Sequence, residues 1–280
     1  MPTTDQLIPA LQVYQEIKAE LHKAQGPKVF LPTDPILENS GYPVATSTPV
    51  EGCLPNTHVP LASALPDGSM MLGVAEDGIP VVMNLYDPES GPILVAGDGG
   101  SGKTALLQFM AQAAGFNDPG DIQFGVLTPF TEEWTALEAL PNCLGIWPAH
   151  HSSAAKFLSQ LVSWAEVLPR TRQAVLLLFD GLDLLLAGGF QVHRDLRWLL
   201  LNGPQRHILP VVTINPGRLG RYGTWLDYFQ TRILGKVKRT QNARLMGIDP
   251  EIDLSEMVPG EQFGFSRADE WLKFHLPVIH

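Results

Sequence analysis

Cysteine is almost missing from this chain of 280 residues, which has only Cys53 and Cys143. Two widely separated thiols build no disulfide framework and lack the paired spacing of a zinc site. A reducing compartment, the cytoplasm, is therefore expected. Cations are also scarce, with 19 Lys and Arg against 29 Asp and Glu, for a formal net charge of -10. Such a surface does not coat nucleic acid, whose phosphates need clustered positive charge, so only a local basic channel is left open. Long hydrophobic runs are absent too. The most apolar stretch, Val175 to Phe190, is broken by Asp180 and Asp183. It is also shorter than the ~20 residues of a membrane helix, so no span is expected. The opening Met1-Pro-Thr-Thr-Asp has neither a basic nor an apolar segment, and no secretory signal is expected.

With 45% hydrophobic and 17% charged residues, the composition is that of a globular protein with a sizeable core. Two regions are expected, residues 1–67 and residues 68–280. In the first, Leu7, Leu11, Tyr14, Ile17 and Leu21 recur at helical steps, which predicts an amphipathic helix over 5–24. Gly26-Pro27 ends it, and the repeated prolines from Pro27 to Pro66 predict an extended arm. That arm either wraps the domain or a neighbouring subunit, or is a flexible tether. In the second region, apolar runs at 70–75 and 79–85 flank Glu76-Asp77-Gly78, a hairpin signal. Strand patterns at 92–96, 122–128, 174–180, 208–214 and 231–237 then alternate with helical patterns at 102–115, 153–167 and 190–201. Such alternation predicts an α/β fold with a mainly parallel sheet.

One segment carries specific chemistry. Pro92-Ile-Leu-Val-Ala96 reads as a strand and Ala105-Leu-Leu-Gln-Phe-Met as a helix. Between them lie Gly97, Asp98, Gly99, Gly100, Ser101, Gly102, Lys103 and Thr104, the G-x-x-x-x-G-K-[ST] phosphate loop in its required context. Glycines let successive amides turn inward around phosphates, and the helix start, including Ala105, adds positive potential. Lys103 supplies a cation to the β/γ oxygens, and Thr104 a hydroxyl for Mg²⁺. ATP and Mg²⁺ are the expected cofactors. A carboxylate closing an apolar strand, Leu176-Leu-Leu-Phe-Asp180, is the expected second metal contact.

From these motifs outward, residues 68–280 resemble the FtsK/HerA class of motor ATPases, including EssC/EccC-type secretion ATPase domains. The resemblance rests on Gly78-Ile-Pro-Val-Val, Val126-Leu-Thr-Pro129, Leu140-Pro-Asn-Cys-Leu144, Val211-Val-Thr-Ile-Asn-Pro216, Phe229-Gln-Thr-Arg-Ile233 and Val258-Pro-Gly-Glu-Gln-Phe263. It implies a P-loop NTPase fold of the RecA-like, additional-strand type, and a homo-oligomer, with a hexameric ring as the family's usual form. It also implies a motor acting on double-stranded DNA or on protein. Within it, Thr213 and Asn215 are the sensor candidates and Arg232 the candidate arginine finger.

The resemblance breaks at one place. The family follows its strand-end Asp with Glu, whereas this chain has Gly181. A carboxylate acting on the attacking water is worth roughly 10²- to 10⁴-fold. Asp183, Glu132 and Glu133 are the residues expected to replace it, if any does. Without one, the chain is a nucleotide-binding assembly module with little turnover. Between 218 and 244, Arg218, Arg221, Arg232, Lys236, Lys238, Arg239 and Arg244 face the single Asp227, with Tyr222, Trp225 and Tyr228 interleaved. That pattern suits either a solvated face or a sequence-independent DNA contact.

Overall fold

The computed structural model describes residues 68–167, 173–187, 189–249, 251–267 and 270–277. The expected helix over 5–24 and the proline-rich arm lie outside them. The described chain is built on one ten-stranded sheet, in the order β2-β1-β10-β9-β8-β3-β7-β6-β4-β5. The strands are β1 Ser69–Ala75, β2 Pro80–Asn84, β3 Ile93–Ala96, β4 Ile122–Thr128, β5 Cys143–Pro148, β6 Ala174–Phe179, β7 Ile208–Ile214, β8 Thr231–Leu234, β9 Gln262–Arg267 and β10 Glu270–His275. The helices are α1 Lys103–Ala114, α2 Thr135–Glu138, α3 Ser152–Val167, α4 Leu182–Leu186, α5 Phe190–Asn202 and α6 Thr240–Leu245.

From β8 across to β5 all pairings are parallel, whereas β9, β10, β1 and β2 add an antiparallel flank. The α/β expectation is met, and so is the lead-in hairpin. Gly78 takes φ +83°, and Asp77 accepts a hydrogen bond from the Ile79 amide at 3.0 Å. Strands at 143–148 and 270–275 are additions to the expected set. β5 is an edge strand interrupted by Gly145 and ending at Pro148, so its period-two signal is weak. The expected closing strand begins only at Gln262, because Pro259 and Gly260 form a turn.

Two apolar layers cover the sheet. In β6, Val175, Leu177 and Phe179 face the layer of α3 and α5, while Ala174, Leu176 and Leu178 face that of α1. This two-sided burial explains its continuous apolar run. Trp147 stacks on Phe157 at 3.6 Å in the first layer, and Gly125 leaves room for both rings. Among the described residues, no helix is long and apolar enough to cross a membrane.

One polar group fixes how α5 meets α3. Asp195, 2% exposed, accepts from Ser159 Oγ and, at 2.8 and 2.9 Å, from Gln191 Nε2. Replacing Asp195 by Ala leaves the Ser159 hydroxyl without its acceptor between the helices, while the exposed Gln191 amide can turn to water, and should destabilise the fold by about 1–3 kcal/mol. Denaturant unfolding would show this as a lower midpoint; an unchanged midpoint would mean the contact carries no stability.

Candidate functional site

β3 runs buried into a loop that is tied to three other segments. The Gly97 amide donates to Ile214 O at 3.3 Å, and the Asp98 amide to Lys236 O at 2.9 Å. Asp98 Oδ2 in turn accepts from the Lys238 amide at 2.9 Å, so this acid is turned onto backbone beyond β8. On the other side, the Gly260 amide donates to Ser101 O at 3.1 Å. Gly100 and Gly102 take φ of +75° and +90°. A Cβ on Gly102 would lie 2.3 Å from Gly260 Cα, so glycine is required there twice over. Ser101 is buried, its hydroxyl without a hydrogen-bond partner, in a cage where a Cβ on Gly97 would come within 2.3 Å of it.

Lys103 opens α1, a 12-residue helix whose N-cap, Gly102, supplies no side-chain cap and whose first turn holds no acid. Its first amides are therefore left for another acceptor, and with the helix dipole they favour an anion. The Lys103 ammonium donates to Gly97 O and Asp98 O, both at 2.9 Å. Burial holds its pKa below the usual lysine range, an effect that Asp180 and then Asp98 partly offset.

Asp180 follows β6, with only 9% of its surface exposed. The Thr104 hydroxyl donates to Oδ2 at 2.9 Å, and the Thr213 hydroxyl to Oδ1 at 3.1 Å. Three expected residues from β6, β7 and α1 thus meet at the carboxyl ends of neighbouring strands, where open α/β sheets bind ligands. Among the described residues no cluster of three or more His, Cys, Asp or Glu exists to hold a metal alone. Mg²⁺ retains waters and takes few protein ligands, so Thr104 and Asp180 beside phosphate oxygens suit it.

The remaining candidates are not hydrogen-bonded to this group. Asn215 caps the short 3₁₀ turn Pro216–Arg221, accepting from the Gly217 amide at 3.0 Å. Glu132 and Glu133 are exposed on the 3₁₀ turn after β4. Arg232, in β8, donates to Met246 O and to Phe229 O on its own chain. Burial lowers its pKa, with Asp227 opposing. Asp183, in α4, pairs through Oδ2 with Arg218. Gly181 takes φ +108°, a backbone state that a glutamate would enter only under strain. Sequence reasoning misses the Lys236, Lys238 and Gly260 contacts, which join segments far apart in the chain, 140 residues for Lys238 and Asp98, and leave no local signal.

Residues 63–177 match the model of the FtsK/SpoIIIE family. Among proteins of curated function, none matches the chain in sequence. The fold resembles that of Thermomonospora curvata EccC (ATPases 2 and 3), solved with a signal sequence peptide: TM-score 0.63, 15% identity, 81% of this chain and 43% of that one. It also resembles EssC (ATPases 2 and 3) from Geobacillus thermodenitrificans: TM-score 0.60, 12% identity, 76% of this chain and 45% of that one. A third likeness is to the pCW3 conjugation coupling protein TcpA, solved as a monomer with ATPγS: TM-score 0.57, 14% identity, 76% of this chain and 66% of that one. This chain spans less than half the length of the EccC and EssC chains it matches. At these identities the likeness to solved structures is one of fold. The P-loop and the strand order together give this chain a P-loop NTPase fold, within which residues 63–177 resemble the FtsK/SpoIIIE family.

Proposed function

We infer that residues 97–105 bind the triphosphate of ATP, with Mg²⁺ against Thr104 and Asp180, and that the chain hydrolyses it as a subunit of a ring-forming motor. The observation that carries this is the Thr104–Asp180–Thr213 hydrogen-bonded chain beside an uncapped helix start. When bound, Mg²⁺ supplies charge neutralisation at the β and γ oxygens. The protein's own part is positioning. The loop amides and Lys103 bind the phosphates, Thr104 and Asp180 orient the metal side, and Thr213 fixes the Asp180 carboxylate.

Double-stranded DNA is the substrate we favour. Lys238, Arg239 and Arg244 are exposed beyond β8, and Arg197 lies 6.0 Å over the Tyr228 ring, next to Trp225. Such a surface suits backbone contact without base readout. Its cations are fewer than the sequence offers, since Arg218 and Arg232 are held within the chain. A protein substrate is the second reading, favoured by the net charge of -10 and by the signal sequence peptide of the EccC structure. Gly181 favours a third, a nucleotide-binding assembly module. We assign residues 1–67 to an N-terminal helix and proline-rich arm, and 68–280 to the ATPase domain.

Steady-state ATP hydrolysis by the full chain, with and without double-stranded DNA, separates these. Turnover that rises with DNA supports the DNA motor. Turnover indifferent to DNA removes that substrate and leaves the protein reading. Tight ATP binding without turnover replaces the motor with the assembly module.

A further inference from the structure

We propose that Asp183 supplies the carboxylate that acts on the attacking water, and that Arg218 is the positioning residue that aims it. This rests on the reading of the P-loop as an ATP site. Three observations converge. First, at Gly181, with φ +108°, Asp183 Oδ1 is the nearest polar atom to where a Cβ on residue 181 would sit, at 3.7 Å, just beyond the Leu184 side chain at 3.1 Å. The carboxylate thus stands beside the point from which a side chain following Asp180 would grow, although it comes from two residues further on. Second, Arg218 takes the other oxygen, Oδ2, which leaves Oδ1 on the Gly181 side. Third, Arg218 stands on the Pro216–Arg221 turn, capped by Asn215 and directly following β7.

These contacts close a circuit around the metal-side carboxylate. From Asp180 it passes through Gly181 to Asp183, across to Arg218, back along the turn to Thr213, and through the Thr213 hydroxyl to Asp180 Oδ1. A single backbone path would leave Asp183 on a short helix free to rotate. The circuit fixes it relative to Asp180. The Asp183 side chain is 15% exposed and Arg218 59%, so the pair contributes little to stability and its value lies in geometry.

The water oxygen forms a bond to the γ-phosphorus as the bond from phosphorus to the β,γ-bridging oxygen breaks. Asp183 Oδ1 accepts the water's proton, ADP and phosphate leave, and the proton passes to solvent. Positioned carboxylates of this kind contribute from about 10²-fold upward.

The test compares the full-length wild type with Asp183→Asn, Arg218→Ala and Arg218→Lys, measuring ATP affinity by equilibrium binding and kcat by phosphate release. Asp183→Asn should lower kcat about 10²-fold with ATP affinity within about twofold of wild type. Arg218→Ala should lower kcat about tenfold, as when a partner orienting a reacting ligand is removed, again at unchanged affinity. Arg218→Lys should recover most of that loss, which a merely structural role does not explain. Wild-type kcat in either Asp183→Asn or Arg218→Ala overturns the proposal, and so does ATP binding by the wild type without turnover. No ATP binding by the wild type instead overturns the nucleotide reading itself.

Discussion

Replacing Lys103 by alanine is expected to lower kcat/KM for ATP about 10³- to 10⁵-fold. The magnitude has two parts. A hydrogen bond to a charged group contributes ~1.5–3 kcal/mol, or about 10- to 100-fold in binding. A donor aimed at charge developing in the transition state contributes a further ~10²- to 10³-fold. Lys103 is placed for both, because its ammonium arches over the loop onto Gly97 O and Asp98 O. Phosphate release and equilibrium ATP binding by the variant would check this; unaltered values would remove the P-loop from the function.

The same residue makes binding depend on pH. Burial lowers the Lys103 pKa, so the protonated form is less favoured in the folded chain than in an exposed lysine. Arriving phosphate adds negative charge and raises that pKa. Binding therefore takes up a proton once pH exceeds the lowered value, and affinity falls as pH rises through it. For folding the sign is opposite. A buried lysine with depressed pKa is a penalty below its folded value, and the penalty fades as pH climbs towards the unfolded one. The Lys103→Ala chain should lose the pH dependence of binding along with most of the binding.

The second large effect falls on stability. Gly102→Ala should cost roughly 2–5 kcal/mol, the sum of strain at positive φ and overpacking. Both conditions hold, since φ is +90° and a Cβ would sit 2.3 Å from Gly260 Cα and 2.6 Å from its nitrogen. Backbone cannot swing aside as a flexible side chain does, so the P-loop and the Val258–Gly260 turn would have to part. A fall of about 5–15 °C in Tm is expected. Gly99→Ala is the control: nothing lies within 4 Å of a Cβ there. It should change stability by under ~1 kcal/mol. Equal melting of the two variants would refute the packing argument.

Much of the fold is legible in the order of residues. The parallel strands other than β5, and α1, α3 and α5, show in the alternation of apolar runs with helical periods, because two-sided burial forces continuous apolar composition in strands such as β6. β5 and β10 do not show, since an edge strand and a half-exposed strand need little apolar periodicity. Arg232 illustrates the limit for single residues. Its position in β8 is legible, yet its guanidinium is held by Met246 O and Phe229 O, and only chain geometry reveals such partners.

The loop from Gly97 to Thr104 and the carboxylate at Asp180 were determined by the sequence alone, because amide cradles and strand-end acids impose residue types at fixed local spacing. The tertiary structure decided what those residues are joined to. Thr213 on Asp180, Lys238 on Asp98, Gly260 against Gly102 and Arg218 on Asp183 all bridge segments distant along the chain. Nothing local in composition encodes such contacts, because they arise only when β3, β7, β6 and β8 are hydrogen-bonded side by side and bring their carboxyl-end loops together.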